Sequence, residues 1–551
     1  MNSRRRFFNS ILLLALSLLF VLPLPVLAED STLLDSVRNL IRNRYVDPVS
    51  EEILNLPTIE EIIDQLGDPY TVFMSPSDAS SFTGSIEGTF SGIGIYLDIV
   101  SQGVLVTGII EGSPAEEKGL KAGDIIIQAG GTSLAGLSAA EATALIKGPE
   151  GTAVDLIVLR DTATFSLTVT RRTITVPSST AEMKDGGIGY IDINTFASNT
   201  GTLFGDELEQ LRAQNPSAYV IDLRNNGGGY VSVAQDIAGY LVPYKDSDNN
   251  SINDNLVIQT ESRVGLLTYP AVKHDLIIDK PSIFITNNST ASASEILAGA
   301  ARDYSNSFFV GSRTYGKGCM QEMWGFTEGE SSLGSLKLTV ARFTTPLGQV
   351  IHKVGLPPDL LIEETDPLLA ARLLLSASVN DADKTGLVKL EIGNHTFAVD
   401  CSQASEAEYW PVYAEILDRL GEGRIMRGQA GGWEAVNSQE IADRWQLYYP
   451  AYRLINSLMD IEPAHKFTVR FSRAVSRQTV NEETIELVDS ATGERIPLKF
   501  EFLNDTDLQV TPTLQTSLQT AGTYWLLVHP AVCDQNNKTL QSGAICTATV
   551  K

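Results

Sequence analysis

The chain has 551 residues, enough for roughly three or four domains of ordinary size. Its apolar content of 43% and its charged content of 20% are typical of soluble globular domains. A formal net charge of −26 argues against a nucleic-acid partner, because such a surface repels a polyanion.

The first 28 residues carry the pattern of a signal peptide. Three arginines precede the apolar run at 11–22, and the small-residue motif at 26–28 stands directly before Glu29. We therefore predict a signal peptide at 1–28 and a protein that works outside the cytoplasmic membrane, either extracellular or tethered on its outer side. An uncleaved anchor over 11–28 is the alternative, although two prolines interrupt that run.

Residues 29–85 are predicted to form a helical lead-in. Apolar residues recur at helical spacing in 31–45 and 58–66, and prolines interrupt the stretch between them. The sequence GDPY at 67–70 then ends the helical pattern.

Residues 86–174 resemble a PDZ domain. β-Rich runs such as GTFSGIGIYLDI alternate with two short helical segments, SPAEEKGLKAGDII and SAAEATALIKGPEG. The resemblance implies that a glycine-rich loop binds the C-terminal carboxylate of a peptide, which is added to the sheet as an extra strand. This loop runs from Ser91 through Gly92, Ile93 and Gly94 to Ile95. A glycine-rich turn without a ligand is the alternative.

Residues 175–365 are predicted to form an α/β core, because apolar strands alternate with helices. The strand AYVIDLR leads into the turn NNGGG, and the strand PSIFITN leads into NSTASAS. Active groups of such folds lie at the carboxyl ends of strands, so we expect both polar turns there. The stretch DSDNNSIND at 246–254 lacks the glycine and glutamate of a calcium loop and is interpreted as a surface turn.

The last part of the chain divides into a mixed region and a β-rich end. Residues 366–460 are left as a linker of unassigned fold, with helices expected at 366–378, 411–421 and 440–459. Residues 461–551 predict a β-sandwich and resemble bacterial Ig-like domains. The fold class is therefore multidomain α+β: a helical lead-in, a PDZ domain, an α/β core and a C-terminal β-sandwich. The sequence does not decide whether Cys533 and Cys546 form a disulfide.

Ser292 and Lys317 are the candidate catalytic pair, 25 positions apart with no histidine between them. Ser292 lies where a strand passes into the helix SEILAGAAR. A neutral lysine can take the serine proton if burial lowers its pKa from about 10.4 toward neutrality. The small and apolar neighbours of Lys317 fit such burial, and Gln321 is expected to orient its amine.

Main-chain amides are expected to stabilise the developing oxyanion. The N–H of Ala293 at the helix start is one donor, and Gly228 or Gly229 of NNGGG supplies the second. In the alternative interpretation Ser294 is a helix N-cap, Ser292 belongs to a polar turn and Lys317 is a surface lysine. Neither a CxxC pair nor a histidine-rich pattern occurs, so no metal or cofactor is expected.

Several segments together resemble the C-terminal processing peptidases, also called tail-specific proteases. In chain order they include GDPYTVFMSPSDASSF, GTFSGIGI, DLRNNGGG, TASASEILAGAARD, VGSRTYGKGCMQ, KLTVARFTTPLG and GLPPDL. The resemblance implies an extracytoplasmic serine endopeptidase that cuts proteins near their C-termini, with Ser292 as nucleophile, Lys317 as base and Gln321 as orienting amide. The family usually has proline or serine where Gly227 stands here.

The resemblance also implies binding partners, and two rival functions stay open. The partners are proteins or peptides with accessible C-termini and no nucleic acid; membrane or cell-wall association and a homo-oligomer stay open. The first rival is a non-catalytic PDZ and Ig-like binding or scaffold protein at the cell surface. The second is a Ser–His–Asp protease, although His274 and His352, the two histidines of the core region, lie in no triad motif.

Overall fold

The computed structural model describes residues 31–247, 254–304, 307–513 and 518–551. The predicted signal peptide, its uncleaved-anchor alternative and most of the polar turn at 246–254 lie outside these ranges. Within them, every helix is too short or too polar to cross a bilayer.

The lead-in is helical, as predicted, and it packs against the α/β core. Thr58 caps one helix by accepting the N–H of Glu61, and Gly67 ends that helix at a φ of 63°. Buried apolar side chains of the lead-in share one cluster with residues 336–341. The elements are α1 (Ser31–Arg44), α2 (Glu51–Leu54), α3 (Ile59–Leu66), β1 (Val72–Met74) and α4 (Pro76–Ile86).

The next unit is a small sheet packed on two helices. Five strands follow the order β3-β4-β5-β7-β8, with β6 on β5, and β2 pairs with β9 beside them. A capping box between Ser138 and Glu141 starts the longer helix. The elements are β2 (Thr89–Gly92), β3 (Ile95–Val100), β4 (Gly103–Ile109), α5 (Pro114–Glu117), β5 (Ile125–Ala129), β6 (Thr132–Ser133), α6 (Ala139–Ile146), β7 (Ala153–Arg160), β8 (Ala163–Thr170) and β9 (Arg172–Thr175).

The core contains a six-stranded sheet in the order β10-β11-β12-β15-β16-β19, parallel except for the β10–β11 pair. A second sheet, β1-β18-β13-β14 with β17 on β18, incorporates the lead-in strand. The elements are β10 (Ser179–Lys184), β11 (Ile188–Ile193), α7 (Thr200–Ala213), β12 (Ala218–Asp222), α8 (Val231–Ala238), β13 (Leu256–Ser262), β14 (Gly265–Pro270), β15 (Ser282–Thr286), α9 (Ala293–Tyr304), β16 (Phe308–Gly311), β17 (Cys319–Glu328), β18 (Ser331–Thr344) and β19 (Leu360–Leu361).

The core sheet is covered on both faces. Every residue of β12 and β15 is buried, as expected for parallel strands between two layers. Helices α7, α8 and α9 supply side chains to one apolar cluster. Residues 367–449 cover the opposite face, where Ile283 and Val310 share a second cluster with Trp410 and Tyr413.

The region that the sequence left as a linker is a folded layer. Its four-stranded sheet has the order β21-β20-β22-β23. The helix expected at 440–459 is wrong: Arg444 adopts a left-handed conformation at a φ of 58°, and the chain then turns into a strand at Arg453. The elements are α10 (Pro367–Leu374), β20 (Leu387–Ile392), β21 (His395–Asp400), α11 (Cys401–Ala404), α12 (Trp410–Arg419), β22 (Ile425–Gln429), β23 (Gly432–Ala435), α13 (Ser438–Asp443) and α14 (Trp445–Tyr448).

The C-terminal unit consists of two sheets that share a buried core. Their strand orders are β24-β30-β29-β26 and β25-β28-β27. The predicted fold class is thereby confirmed. The four cysteine thiols are unpaired, so the structure does not form the Cys533–Cys546 bond. The elements are β24 (Arg453–Ile461), β25 (Phe467–Arg470), a 3-10 turn (Arg477–Thr479), β26 (Ile485–Asp489), β27 (Leu498–Phe502), β28 (Asp507–Pro512), β29 (Thr523–Val528) and β30 (Ala544–Val550).

Candidate active site

Two polar turns meet at one edge of the core sheet. Strands β12 and β15 are parallel neighbours, with Asp222 opposite Ile285. The turn NNGGG follows β12 and the turn containing Ser292 follows β15. The sequence prediction that both turns lie at carboxyl strand ends is therefore confirmed.

Ser292 occupies a sharp turn between β15 and α9. Its φ is 58°, a conformation that costs a residue other than glycine about 1–3 kcal/mol and that surrounding contacts must hold in place. The N–H of Ala291 donates to the carbonyl of Asn226 at 3.0 Å, which ties this turn to NNGGG. Ser292 is half-buried, and its Oγ has no hydrogen-bond partner among the residues that the structure describes. The hydroxyl is therefore free to react.

Ser294 has a different position from the N-cap that the alternative interpretation gave it. It lies inside α9, is fully buried, and its Oγ donates to the carbonyl of Asn226 at 3.0 Å. Asn226 is also fully buried, and its side chain donates to the carbonyl of Ile193 at 2.7 Å. Ser294 thus fastens the two turns together.

Glu295 joins the serine turn to the lysine segment, and the sequence prediction missed it. Its Oε2 accepts the N–H of Ser292 at 3.0 Å and the N–H of Lys317 at 2.8 Å. The two nitrogens can therefore be no farther apart than these two bonds laid end to end, about 5.8 Å. Its Oε1 accepts the Thr314 hydroxyl at 2.6 Å and the N–H of Gly316 at 2.7 Å.

The signal for Glu295 was present in the sequence. Ser292 and Glu295 have the spacing of a capping box, in which each side chain bonds the other residue's main-chain N–H. Only the bond from the Ser292 N–H to Glu295 is made. This one bond holds the turn, and the Ser292 hydroxyl is not used as a helix cap. Burial raises the pKa of Glu295, although its four hydrogen bonds act in the opposite direction.

Lys317 lies in the segment that links β16 to β17. Its Nζ stands 5.2 Å from the centre of the Tyr70 ring and makes no ion pair with any described residue. Burial lowers the pKa of Lys317 below its ordinary value. Its flanking glycines are needed for close packing, because a Cβ at Gly318 would lie 2.4 Å from the main-chain nitrogen of His352.

Gln321 lies on β17 and does not bond to Lys317. Its amide nitrogen donates to the Sγ of Cys319 and to the Oγ1 of Thr339, each at 3.3 Å. Burial raises the pKa of the Cys319 thiol. The expected orientation of the lysine by Gln321 thus stays a prediction.

The predicted oxyanion donors differ in their hydrogen bonding. The N–H of Gly228 donates to the Asn226 Oδ1 at 2.9 Å, so this amide is occupied. The N–H groups of Gly229 and Ala293 have no partner among the described residues, and Ala293 is the first residue of α9. These two amides are available for a ligand, and the role of each stays a prediction.

Gly228 touches the serine turn directly. A Cβ at this position would lie 2.7 Å from the Cβ of Ser292 and 2.9 Å from the nitrogen of Ala293, and the φ of 107° also favours glycine. Gly228→Ala would displace Ser292 and the free amide of Ala293, so we expect it to lower kcat/KM by at least about 100-fold, comparable to the loss of an oxyanion donor. Steady-state proteolysis kinetics measure this effect.

Gly227 provides the matched control for that substitution. A Cβ there would meet nothing within 4 Å, and its φ is ordinary. Gly227→Ala, which approaches the proline or serine of related chains, should keep activity near wild type. Equal losses in both variants would contradict a specific contact between Gly228 and Ser292.

The glycine-rich segment of residues 91–95 connects β2 to the edge strand β3 and includes the adjoining ends of both strands. The carbonyls of Ile93 and Gly94 accept the N–H groups of Ala115 and Ile110, while their own N–H groups have no partner among the described residues. A Cβ at Gly94 would overlap the side chain of Ser113 at 2.2 Å. Two adjacent free amides form a concavity suited to a carboxylate.

Lys147, which the sequence analysis did not select, stands beside this loop. It directly follows α6, and its Cγ would be 3.7 Å from a Cβ at Gly92. Its Nζ lies 4.8 Å from the centre of the Phe90 ring, and burial lowers its pKa. The loop thus has a nearby cation.

The two histidines of the core region form no triad with Ser292. His274 Nε2 bonds to the main-chain carbonyl of Asp236 at 3.0 Å, and its ring stacks on Tyr240. The Nδ1 of His352 is buried without a partner in the described part of the chain. The main chain of Lys317 is instead tied to the serine turn through Glu295.

Comparisons with known proteins agree with this architecture. Residues 187–362 match peptidase family S41, and residues 105–160 match a PDZ domain. The chain is 33% identical to the carboxy-terminal processing protease CtpA of Bacillus subtilis (strain 168) over 63% of this chain and 70% of that protein. It is 31% identical to a carboxyl-terminal-processing protease of Synechocystis sp. over 60% of this chain and 76% of that protein.

A solved structure gives a similar match. The photosystem II D1 C-terminal processing protease is 26% identical, with a TM-score of 0.43, over 63% of this chain and 97% of that chain. The fold, the PDZ domain and the sequence matches define a serine-type peptidase. The chain belongs to the carboxy-terminal processing proteases of peptidase family S41.

Proposed function

We propose that this chain is an extracytoplasmic endopeptidase that cleaves protein substrates near their C-termini with a dyad of Ser292 and Lys317. The observation that carries the proposal is the bridge through Glu295, which fastens both main chains to one carboxylate oxygen. A serine with a free hydroxyl and a lysine with a lowered pKa are thereby held together. Membership of the peptidase family supports catalysis over the scaffold alternative.

The proposed reaction proceeds through an acyl-enzyme. Ser292 Oγ attacks the peptide carbonyl carbon while neutral Lys317 takes the hydroxyl proton. The N–H groups of Ala293 and Gly229 stabilise the oxyanion. The C–N bond then breaks as Lys317 returns the proton to the leaving amine. Lys317 next takes a proton from water as the water oxygen attacks the ester carbon, and it returns that proton to Ser292 Oγ when the ester C–O bond breaks.

The PDZ domain is proposed to select the substrate by its tail. The free amides of Ile93 and Gly94 would bind the terminal carboxylate, and the Lys147 ammonium would add charge complementarity. The residues upstream of the carboxylate would extend along β3, an edge strand of its sheet. Gating of the active site by this domain is part of the proposal.

Export and attachment complete the proposal. The pattern at 1–28 supports export, and the C-terminal β-sandwich is proposed to be an Ig-like module for attachment or partner binding. Membrane or cell-wall association would act through this unit.

One experiment tests location, cleavage position and tail recognition together. The protein is recovered from the extracytoplasmic fraction, where its N-terminal sequence should begin at Glu29. It is then given one protein substrate with either a free or an amidated C-terminus. Mass spectrometry should map the cuts near the C-terminus, and amidation should raise KM about tenfold or more, because charged hydrogen bonds are lost. Equal KM values would contradict tail recognition, and cuts spread along the chain would contradict C-terminal processing.

A further inference from the structure

The C-terminal unit contains a groove of about 870 Å³ that the proposed reaction does not use. Residues of β24 in one sheet and of β25 in the other line it. Each of these strands stands at the end of its sheet, so each has one edge that pairs with no other described strand. Such an edge exposes main-chain donors and acceptors with which an extended segment can pair.

Strand β25 presents its free edge to this groove. All the residues of 466–473 line the groove, so side chains of both faces of the strand contact it and the groove follows the edge. Phe471, just beyond β25, donates its N–H to the carbonyl of Thr506 at 2.8 Å. Main-chain bonds of an antiparallel pair recur at every second residue, so the main-chain groups of Thr468 and Arg470 point away from β28.

The floor of the groove is an incompletely buried part of the sandwich core. Six apolar residues line the groove and pack against the buried cluster of the two sheets, yet all six are only half-buried. A strand added to β25 would cover them with every second side chain, and burial of that apolar surface would stabilise the complex. The six residues are Leu458, Val469, Phe471, Leu540, Ala544 and Cys546.

Cations border the groove, although the whole chain carries a net charge of −26. Five lysines and arginines line it, against the single carboxylate of Asp534. Arg473 pairs with Asp534 at 3.3 Å, and Arg470 pairs with Asp507 at 2.8 Å. The other three are exposed and make no ion pair with any described residue: Arg453, Lys466 and Lys538. A ligand with carboxylates therefore complements the groove.

We propose that this groove binds an extended segment of a partner protein as an added strand on β25, and that the segment alternates apolar and acidic residues. Its apolar side chains cover the floor. Its carboxylates lie on the outer face of the sheet, where Lys466 and Arg470 become their cross-strand neighbours. The inference rests on the partner-binding role proposed for this unit, and it is independent of the dyad of Ser292 and Lys317.

The probe is a fluorescent peptide of about eight residues that alternates valine and glutamate. Both ends are blocked, so the PDZ domain has no terminal carboxylate to bind. The whole chain carrying Ser292→Ala is used, which prevents cleavage during the measurement. Fluorescence anisotropy should show saturable binding that weakens as salt is added. A peptide that alternates valine and lysine, and a block peptide of valines followed by glutamates, should each bind about tenfold or more weakly.

The charge of the groove is tested by Lys466→Glu. This variant should raise the Kd of the valine–glutamate peptide about fivefold or more, because an attraction becomes a repulsion. Lys499→Glu is the matched control, since Lys499 is exposed on β27 at the opposite edge of the same sheet and does not line the groove. Its Kd should equal that of the protein without either change.

The free edge of β25 is tested by Thr468→Pro. Proline removes the N–H that points away from β28 and should abolish binding, whereas Thr468→Val keeps that N–H and should bind normally. Thermal unfolding of both variants checks the fold. Hydrogen exchange gives a second measurement without any change in β25, because the bound peptide should slow exchange of the Thr468 and Arg470 amides.

Several results would overturn the proposal. They are the absence of binding at about 1 mM peptide, equal binding of the valine–glutamate and valine–lysine peptides, and unprotected amides at Thr468 and Arg470. Equal binding of a peptide of glutamates alone would show an anion site without strand addition. A dimer that Thr468→Pro dissociates would show that a second copy occupies the edge, and it also overturns the proposal. These assays need no catalysis, so failure here leaves the proposed peptidase activity standing, and an inactive dyad leaves the binding result unchanged.

Discussion

Ser292→Ala is expected to lower kcat/KM by about 10⁴-fold or more, which is the usual loss when a serine nucleophile is removed. The reason is chemical, because alanine has no atom that can form the acyl-enzyme. The fold should persist, since the Ser292 hydroxyl makes no hydrogen bond with the described residues and its N–H still donates to Glu295. Steady-state proteolysis and thermal unfolding of the same preparation measure the two effects.

Ser289→Ala is the control for this result. Ser289 belongs to the same turn and is half-buried, but its hydroxyl makes only one long contact, 3.5 Å to Asn288. Its activity should match the wild type. Turnover by Ser292→Ala at the wild-type rate would exclude Ser292 as the nucleophile.

Lys317→Ala and Lys317→Arg are both expected to reduce activity by about 10³-fold or more, comparable to the loss of a catalytic base. Alanine removes the base, and arginine stays charged at every working pH and cannot accept a proton. Because arginine preserves the positive charge, an equal loss of activity in both variants would show that the reaction needs the neutral amine of Lys317. A merely electrostatic role for Lys317 would let Lys317→Arg keep most of its activity.

The pH dependence of activity tests the same role of Lys317. Burial lowers the pKa of Lys317, and a lysine is neutral above its pKa. Activity should therefore rise with pH through that lowered pKa, and this limb should be missing from both variants. His274→Ala is the control, because His274 bonds to Asp236 and stacks on Tyr240 instead of facing the dyad. An acid limb set by His274 would contradict the lysine assignment.

The catalytic edge could be predicted because its signals are local. A fully buried strand followed by a polar turn identifies a carboxyl strand end, and two such turns had to meet in a parallel sheet. Glycines beside Lys317 predicted tight packing, which the contact of Gly318 with His352 explains. These features depend on a few consecutive residues, so one sequence was sufficient.

Other parts of the site depend on contacts between distant segments. Spacing alone could not show that Glu295 bonds the main chain of Lys317, 22 positions later, as well as that of Ser292. Composition also could not show that Gly228 gives its N–H to Asn226, which leaves Gly229 as the free amide. Hydrogen-bond partners that are set by tertiary packing have no local signature.

The region after the core was mispredicted for a similar reason. Residues 440–459 have helical spacing, but Arg444 turns left-handed and Arg453–Ile461 pairs with β30, which lies at the end of the chain. The part of the chain before residue 440 shows neither a clear helical nor a clear strand pattern, because its aromatic residues pack against both the core sheet and the C-terminal sandwich. Trp410, for example, stacks on Tyr448 and contacts Trp525. Burial on several sides removes the amphipathic pattern that identifies an element.

The most direct measurement is the position and rate of fluorophosphonate modification, mapped by mass spectrometry. Trypsin should release residues 274–302 as one peptide, since the bond after Lys280 precedes a proline, and fragmentation can separate Ser289, Ser292 and Ser294. We expect a single adduct on Ser292, formed faster as the pH rises and formed slowly in Lys317→Ala. An adduct on another serine, or equal rates in wild type and Lys317→Ala at every pH, would exclude the Ser292–Lys317 dyad.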